Sequence, residues 1–383
     1  MKVCVVSDVL AEENNGTTIA AMNLIRSLKA KGHEVTVVCP KTDCYKEEDG
    51  YYFVPTLKLP KVFQNIVDRN NVIIGKPKRK ILKAAMKDAD VVHVMLPLYI
   101  GSKATVYAKK HLKKPVTAGF HAQAENVSSH IFKSMNSDKV NKFIYKQYYR
   151  FVYRYVDAIH YPTKFIQDVF EDIVGKTNGY VISNGVQKSF KRYNCQKPLE
   201  LQGKKVILFI GRISLEKSHS VLIEAVSKSK YEKNIQLVFA GQGPREEEVK
   251  ALAKKKLTNQ PIIQFFSREE LIDVINYADL YCHPAEVEIE AISCLEAMKC
   301  GLVPVIANSP KCATKAFALD DRSLFEVNNP DSLSKKIDYW FDHEDEKNIM
   351  SLEYEQMASQ FDFDKCMDKM EQMFQDVIKK YEK

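Results

Sequence analysis

The sequence holds a single tryptophan among 383 residues, and it has no Cys-x-x-Cys pair. No apolar run approaches the ~18–20 residues needed to span a bilayer. Nine cysteines, an odd number scattered along the chain, do not make a disulfide scaffold; they read as reduced thiols of a cytosolic protein, and a structural zinc site is not expected. No Gly-x-Gly-x-x-Gly is present, so the dinucleotide-binding fingerprint is missing. Low-complexity tracts, internal sequence repeats and nucleic-acid-binding motifs are likewise missing. The first residues, MKVCVVSDVL, lack the apolar core and small-residue cleavage site of a signal peptide and read as a first strand.

What is present is the composition of a globular protein, 45% hydrophobic and 28% charged. At roughly 100–200 residues per domain, the length suggests two or three domains. The net charge of +8 is unevenly shared: residues 1–186 carry 28 Lys/Arg against 17 Asp/Glu, and residues 187–383 carry 29 against 32. The basic excess is densest in 76–114 and in KVNKFIYKQYYRFVYRYV, 139–156, where Lys and Arg alternate with Phe and Tyr. Solvated helix faces account for such runs, with any aromatics packed inward. An anionic membrane surface accounts for them as well, at about 1 kcal/mol per basic group. Nucleic acid ranks last, because no recognition motif accompanies the charge.

Along the chain, short apolar segments alternate with amphipathic ones. Strands are predicted at Lys2–Val6, Glu34–Val38, Val91–Met95, Val116–Gly119, Ala158–Tyr161 and Tyr180–Ser183, with helices ending near Lys31 and over 101–112 and 163–173. The polar, aperiodic stretch Asn184–Gly203 reads as a linker. The rhythm then restarts, with strands at Lys205–Ile210, Gln236–Ala240, Ile262–Phe266, Leu280–His283 and Val303–Ala307. Helices over 216–229, 244–256, 268–277 and 290–299 connect them. Such alternation specifies α/β domains with parallel sheets covered on both faces. The tail, about 331–383, is helical, with Trp340, Met357, Phe361, Met370 and Phe374 as anchors.

Ligands of open parallel sheets bind at the carboxyl ends of strands, which selects four loops. After the first strand, NNGTT places Gly16 and Thr17 where backbone and helix N-terminus can approach a phosphate. After Lys205–Ile210, the loop GRISLEK brings Gly211, Arg212 and Lys217 to a strand end. A guanidinium and an ammonium there suit a diphosphate, and a surface Arg beside a helix-start ion pair is the plainer reading. In AEVEIEAISCLEAMKCG, Glu288 and Glu296 have seven residues between them, one in a loop and one on the next helix. Such carboxylates accept hydrogen bonds from sugar or ribose hydroxyls, though an acidic helix start is also favoured by the macrodipole. In GFHAQAEN, His121 directly follows a strand and is either structural or a proton-transfer and hydroxyl-binding group. Asp88-Ala-Asp90 and Asp362-Phe-Asp364 have a metal-motif spacing but lie away from strand carboxyl ends, and both read as solvated turns.

Together these features resemble the family 4 retaining glycosyltransferases. The resemblance runs through GHEVTVV (32–38), the His121 loop, ISNGV (182–186), GRISLEK, FAGQGP (239–244) and Glu-x7-Glu into EAMKCGLVPV (296–305). It implies the GT-B fold, two Rossmann-like domains facing across a cleft. Residues 1–186 would form the acceptor-binding domain, 204–360 the nucleotide-sugar-binding domain, and a helix at about 361–383 would pack back on the first. It also implies roles. Arg212 and Lys217 hold the donor diphosphate with the Gly16–Thr17 loop, and Glu296 binds the ribose. Glu288 contacts the sugar, His121 binds the sugar or a reacting oxygen, and the base rests against the 265–268 loop at Phe266. The family often has Gly-Phe-Gly after the first Glu, where this chain has Ile289, Glu290 and Ala291 ahead of Ile292. No metal or other cofactor is implied, only a nucleotide sugar as co-substrate, with UDP-glucose leading. The HAQAEN loop and the basic first half resemble the bacterial diacylglycerol glucosyltransferases. They imply a lipid or other hydroxyl acceptor, an anionic membrane surface, a peripheral place on the inner face of the membrane, and no nucleic-acid partner. A soluble sugar or hydroxy-acid acceptor, a nucleotide-sugar epimerase, and a catalytically silent GT-B scaffold remain the alternatives.

Overall fold

The computed structural model describes residues 1–10, 16–57, 73–131 and 137–382, so Asn14 and Asn15 of the NNGTT loop lie outside the described residues. The chain divides into two compact units, Met1–Asn184 with Asp364–Lys383, and Gly185–Phe363.

The first unit is built on seven strands: β1 Lys2–Val6, β2 Glu34–Pro40, β3 Tyr51–Val54, β4 Val91–Val94, β5 Val116–Gly119, β6 Ala158–Tyr161 and β7 Gly179–Val181. Their order is β3-β2-β1-β4-β5-β6-β7, and every pairing is parallel. The second unit has β8 Lys205–Ile210, β9 Ile235–Ala240, β10 Ile262–Gln264, β11 Leu280–His283, β12 Pro304–Asn308 and β13 Leu324–Glu326. These run β10-β9-β8-β11-β12-β13, again all parallel. Central strands such as VVHV, AIHY and LYCH are buried at every residue, as helices on both sheet faces require. The strands unforeseen from sequence, β3 and β13, sit at sheet edges, where half-exposed residues blur the apolar run.

Strand order reverses between β1 and β4 in one sheet and between β8 and β11 in the other, which defines the two crevices where a ligand would bind. At the first, Asp8 is buried just past β1. It accepts hydrogen bonds from Ile100 N (2.5 Å) and Gly101 N (2.8 Å), the opening amides of the helix Tyr99–Tyr107. A carboxylate there satisfies two of the four amides a helix start leaves unpaired. Burial nonetheless pushes the Asp8 carboxyl up to about 7, with the two amides pulling the other way.

Two segments differ from the sequence reading. The stretch 185–203 contains no strand or α-helix, yet Val186, Phe190 and Leu201 are buried in the core of the second unit. Three anchors at irregular spacing leave no periodicity to detect. The helix expected over 216–229 begins only at His219, because Ser218 adopts a left-handed conformation (φ 53°) after the turn Leu215–Lys217. The tail forms three helices, Pro330–Asp342, Glu344–Ala358 and Phe363–Tyr381. The last buries Met370, Met373, Phe374 and Val377, and it pairs Glu371 with Lys31 (3.1 Å) and His33 (3.2 Å) of the first unit.

Candidate functional site

In the second unit, β8 ends by delivering Gly211 and Arg212 to the carboxyl edge of the sheet. That loop is fastened by the one following β9: Gly211 N donates to Ala240 O (3.1 Å), Ile213 N to Gln242 O (3.0 Å) and Arg245 N to Ile213 O (3.2 Å). Contact is close enough that a Cβ on Gly241 would lie 2.2 Å from Gly211 O, and one on Gly243 2.2 Å from Ile213 O. The glycines of FAGQGP therefore let two backbones touch, a packing role the sequence alone did not disclose.

Arg212 is half-buried. Burial pulls its guanidinium below its usual value, against the charge of Glu216, and it stays a cation. Lys217 reaches across to an ion pair with Glu288, their side chains only 17% and 19% exposed. Burial lowers the Lys217 ammonium, but the charge and hydrogen bond of Glu288 outweigh it and leave the group above its ordinary value. Burial raises Glu288 in turn, and the charge and hydrogen bond of Lys217 bring it below the usual carboxylate range. The backbone at Glu288 is held by a segment that the sequence reading did not single out. Ala313 N donates to Glu288 O (2.9 Å), Glu288 bridges Cys312 in parallel, and Ser309 Oγ donates to Glu286 O (2.6 Å).

His283, the last residue of β11, is 1% exposed. Its Nε2 lies 3.9 Å from the Glu288 carboxylate, and its Nδ1 lies 3.2 Å from the Tyr281 hydroxyl. Tyr281 in turn meets Ser293 Oγ (3.1 Å), which donates to Ile210 O (3.2 Å). Burial pushes the His283 imidazole down to about 3, so it is neutral. No sequence motif pointed to His283; its role depends on a crevice between two strands far apart in the chain.

The helix Ile292–Lys299 opens at Ala291, which has φ 53° and ψ 61°. This is a left-handed position, which glycine takes without the strain a Cβ brings. Ala291→Gly is expected to raise stability by about 0.5–1 kcal/mol, net of the freedom glycine adds to the unfolded chain, as read by thermal or denaturant melting. Of its neighbours, Glu290 is buried, and Ile289 and Ile292 are half-buried. Phe266 lies past β10, packed partly against the core, with Phe265 exposed beside it.

Glu296 stands on the same helix, its carboxyl without a hydrogen-bond partner among the described residues. Burial pushes it up to about 7, with the charge of Arg268 opposing. A raised carboxyl binds its proton more tightly in the folded chain. Its contribution to stability is therefore full below the ordinary carboxylate value and lost as pH rises through about 7, and the same holds for Asp8. Melting temperature should fall between pH 5 and pH 8, and Asp8→Asn and Glu296→Gln should each flatten part of that slope.

The first unit holds the remaining candidates. Gly16 opens the helix Gly16–Ala30 and is exposed; a Cβ there would meet no atom of the described residues within 4 Å. Thr17 is half-buried beside it. The His121 ring covers Gly119 so closely that a Cβ on that glycine would lie 2.6 Å from His121 Nε2. It stacks edge-on with His160 at 5.4 Å, and burial, with the nearby imidazoles adding, holds it well below its usual value. Of the candidates, Lys217 and Glu288 meet directly, and Gly211, Arg212, Ala291 and Glu296 share the same switch point. Gly16, Thr17 and His121 belong to the other unit. Among the described residues, no group of three or more His, Cys, Asp and Glu side chains is placed to hold a metal ion.

Comparisons with known proteins agree on one kinship. The model described as Glycosyltransferase Family 4 matches residues 14–190, and the one described as Glycosyl transferases group 1 matches residues 167–356. The chain is 24% identical over 321 residues to the GDP-mannose-dependent alpha-mannosyltransferase of Corynebacterium glutamicum, spanning 80% of this chain and 72% of that protein. It is 23% identical over 358 residues to the alpha-monoglucosyldiacylglycerol synthase of Acholeplasma laidlawii, spanning 88% and 87%. Among solved structures, the sucrose-phosphate synthase of Thermosynechococcus elongatus has a TM-score of 0.78 at 14% identity over 98% of each chain. Anabaena HepE, in complex with UDP and glucose, has a TM-score of 0.75 at 15% identity over 98% of this chain and 100% of that one. At such identities the structural likeness carries the fold alone.

Proposed function

Because this chain belongs to the family 4 glycosyltransferases of the GT-B fold, similar to the diacylglycerol glucosyltransferases, we propose that it moves glucose from UDP-glucose to a hydroxyl of a membrane lipid such as diacylglycerol, keeping the α configuration and using no metal. The observation that carries the donor half is the Lys217–Glu288 ion pair at the switch point between β8 and β11. It sets a cation for the diphosphate against a carboxylate for the sugar hydroxyls. Arg212 and Lys217 neutralise the leaving phosphate, Glu296 takes the ribose, and His121 of the first unit binds the sugar or a reacting oxygen. Glu288 is engaged by Lys217, which leaves it poorly placed as a nucleophile. The reaction then proceeds on one face, with the leaving phosphate accepting the acceptor's proton.

The lipid half rests on the helix Asp138–Phe151. Asn141, Tyr145 and Tyr148 turn inward, whereas Lys139, Lys142, Lys146 and Arg150 face solvent, joined by Phe143 at 61% and Phe151 at 50% exposure. The buried row fits the expectation of inward aromatics only in part, because Phe143, Tyr149 and Phe151 stand exposed among the cations. A basic helix face with outward aromatics suits an anionic headgroup layer. Among the described residues no helix is long and apolar enough to cross a membrane.

The test supplies labelled UDP-glucose or GDP-mannose with mixed anionic and diacylglycerol vesicles, and counts label extracted into organic solvent. Label from UDP-glucose supports the proposal. Nucleotide release with the label left in water points to a soluble acceptor, and no release with any donor supports the silent scaffold. Phe143→Ser with Lys142→Glu and Lys146→Glu is expected to lower anionic-vesicle sedimentation at least tenfold. Equal binding to neutral vesicles would count against the membrane surface.

A further inference from the structure

His283 has no place in the roles above, yet its surroundings settle where its proton sits. Ile210 O can only accept, so Ser293 Oγ spends its one hydrogen on that carbonyl (3.2 Å). Ser293 Oγ then accepts from Tyr281 (3.1 Å), which spends the tyrosine's only hydrogen. The remaining contact, Tyr281 to His283 Nδ1 (3.2 Å), is satisfied only if Nδ1 carries the proton and donates. Nε2 is left as a lone pair. It is buried, has no hydrogen-bond partner among the described residues, and lies 3.9 Å from the Glu288 carboxylate, with which it shares no proton. Two acceptors side by side in a buried crevice call for one outside donor, since an unsatisfied buried acceptor carries a desolvation penalty. The ring has little room to turn away: Phe209 packs edge-on against it at 5.5 Å, and Tyr281 lies on the same face of β11.

We propose that His283 is a specificity-determining contact of the donor site, whose Nε2, beside Glu288, accepts a hydrogen bond from a hydroxyl of the transferred sugar. This rests on the reading of Lys217 and Glu288 as the donor's binding groups.

Two readouts test it. The first needs no ligand. Histidine-labelled protein examined by 15N NMR, with His283 assigned through His283→Gln, should show the Nδ1–H form of the neutral ring, the less common tautomer. Tyr281→Phe should convert it to Nε2–H. A wild-type ring in the Nε2–H form overturns the proposal. The second is calorimetric titration with UDP-glucose, GDP-mannose and the corresponding diphosphates. His283→Leu and Tyr281→Phe should weaken nucleotide-sugar binding about five- to tenfold and leave the diphosphate unchanged. His283→Gln, which can return an acceptor oxygen to the same place, should recover part of the loss. Equal losses for sugar nucleotide and diphosphate, or no loss at all, overturn the contact and leave the donor site standing. If neither sugar nucleotide binds the wild type, the donor assignment itself fails, and the contact fails with it.

Discussion

Lys217→Ala is expected to lower kcat for sugar transfer about 10²–10³-fold, because it removes a cation from the position where the leaving diphosphate gains charge. The same change should be felt in the free protein. Glu288 would be left in its crevice without the ammonium that now pairs with it, and breaking a buried pair from one side costs about 3–5 kcal/mol. Its carboxyl, lowered now chiefly by Lys217, should then rise and take up a proton. Pairing Lys217→Ala with Glu288→Gln separates the two effects: stability should largely return while transfer stays low. Arg212→Ala should lower turnover comparably. Near-normal turnover in either single variant would sink the diphosphate assignment.

Gly243→Ala should be the most damaging one-carbon change on the second unit. The added Cβ would lie 2.2 Å from Ile213 O and 2.6 Å from both Ile213 C and N, all backbone atoms that no rotamer change can move. The loop carrying Arg212 and Lys217 must shift, at about 3 kcal/mol of stability, the upper range for overpacking. Denaturant melting and nucleotide titration should fall together. Gly16→Ala is the contrasting case: with no atom of the described residues within 4 Å of its added carbon, stability should hold. Any loss of donor affinity there would report a phosphate approaching the backbone, and unchanged affinity would remove Gly16 from the donor loop.

The parts of this molecule legible in sequence are those governed by neighbours in the chain. Runs such as KVILFI and IQLVFA are apolar along their whole length because both sheet faces are covered, and β8 and β9 lie at or within a residue of where that pattern puts them. The edge strands β3 and β13 escaped, since partial exposure weakens the same signal. The start of the helix at His219 also escaped. Ser218, an ordinary residue in sequence, takes a left-handed conformation that only its surroundings impose.

The site divides along the same line. Arg212, Lys217, Glu288 and Glu296 could be chosen from sequence because a strand end, a loop and a helix start each leave a local trace, and the spacing of the two glutamates is itself local. Their electrostatics could not. That Lys217 and Glu288 are paired, that Ser309–Ala313 holds Glu288 in place, that glycines of FAGQGP brace the Arg212 loop, and that the buried His283 ring lies beside Glu288 all depend on contacts between segments apart in the chain. The sequence by itself determined two parallel α/β units and the residue types at their strand ends, because hydrophobic periodicity and turn chemistry act over a few residues. Only the tertiary structure decided which charges meet, which groups lose water and where a proton rests, because burial and hydrogen bonding depend on distance in space and not along the chain.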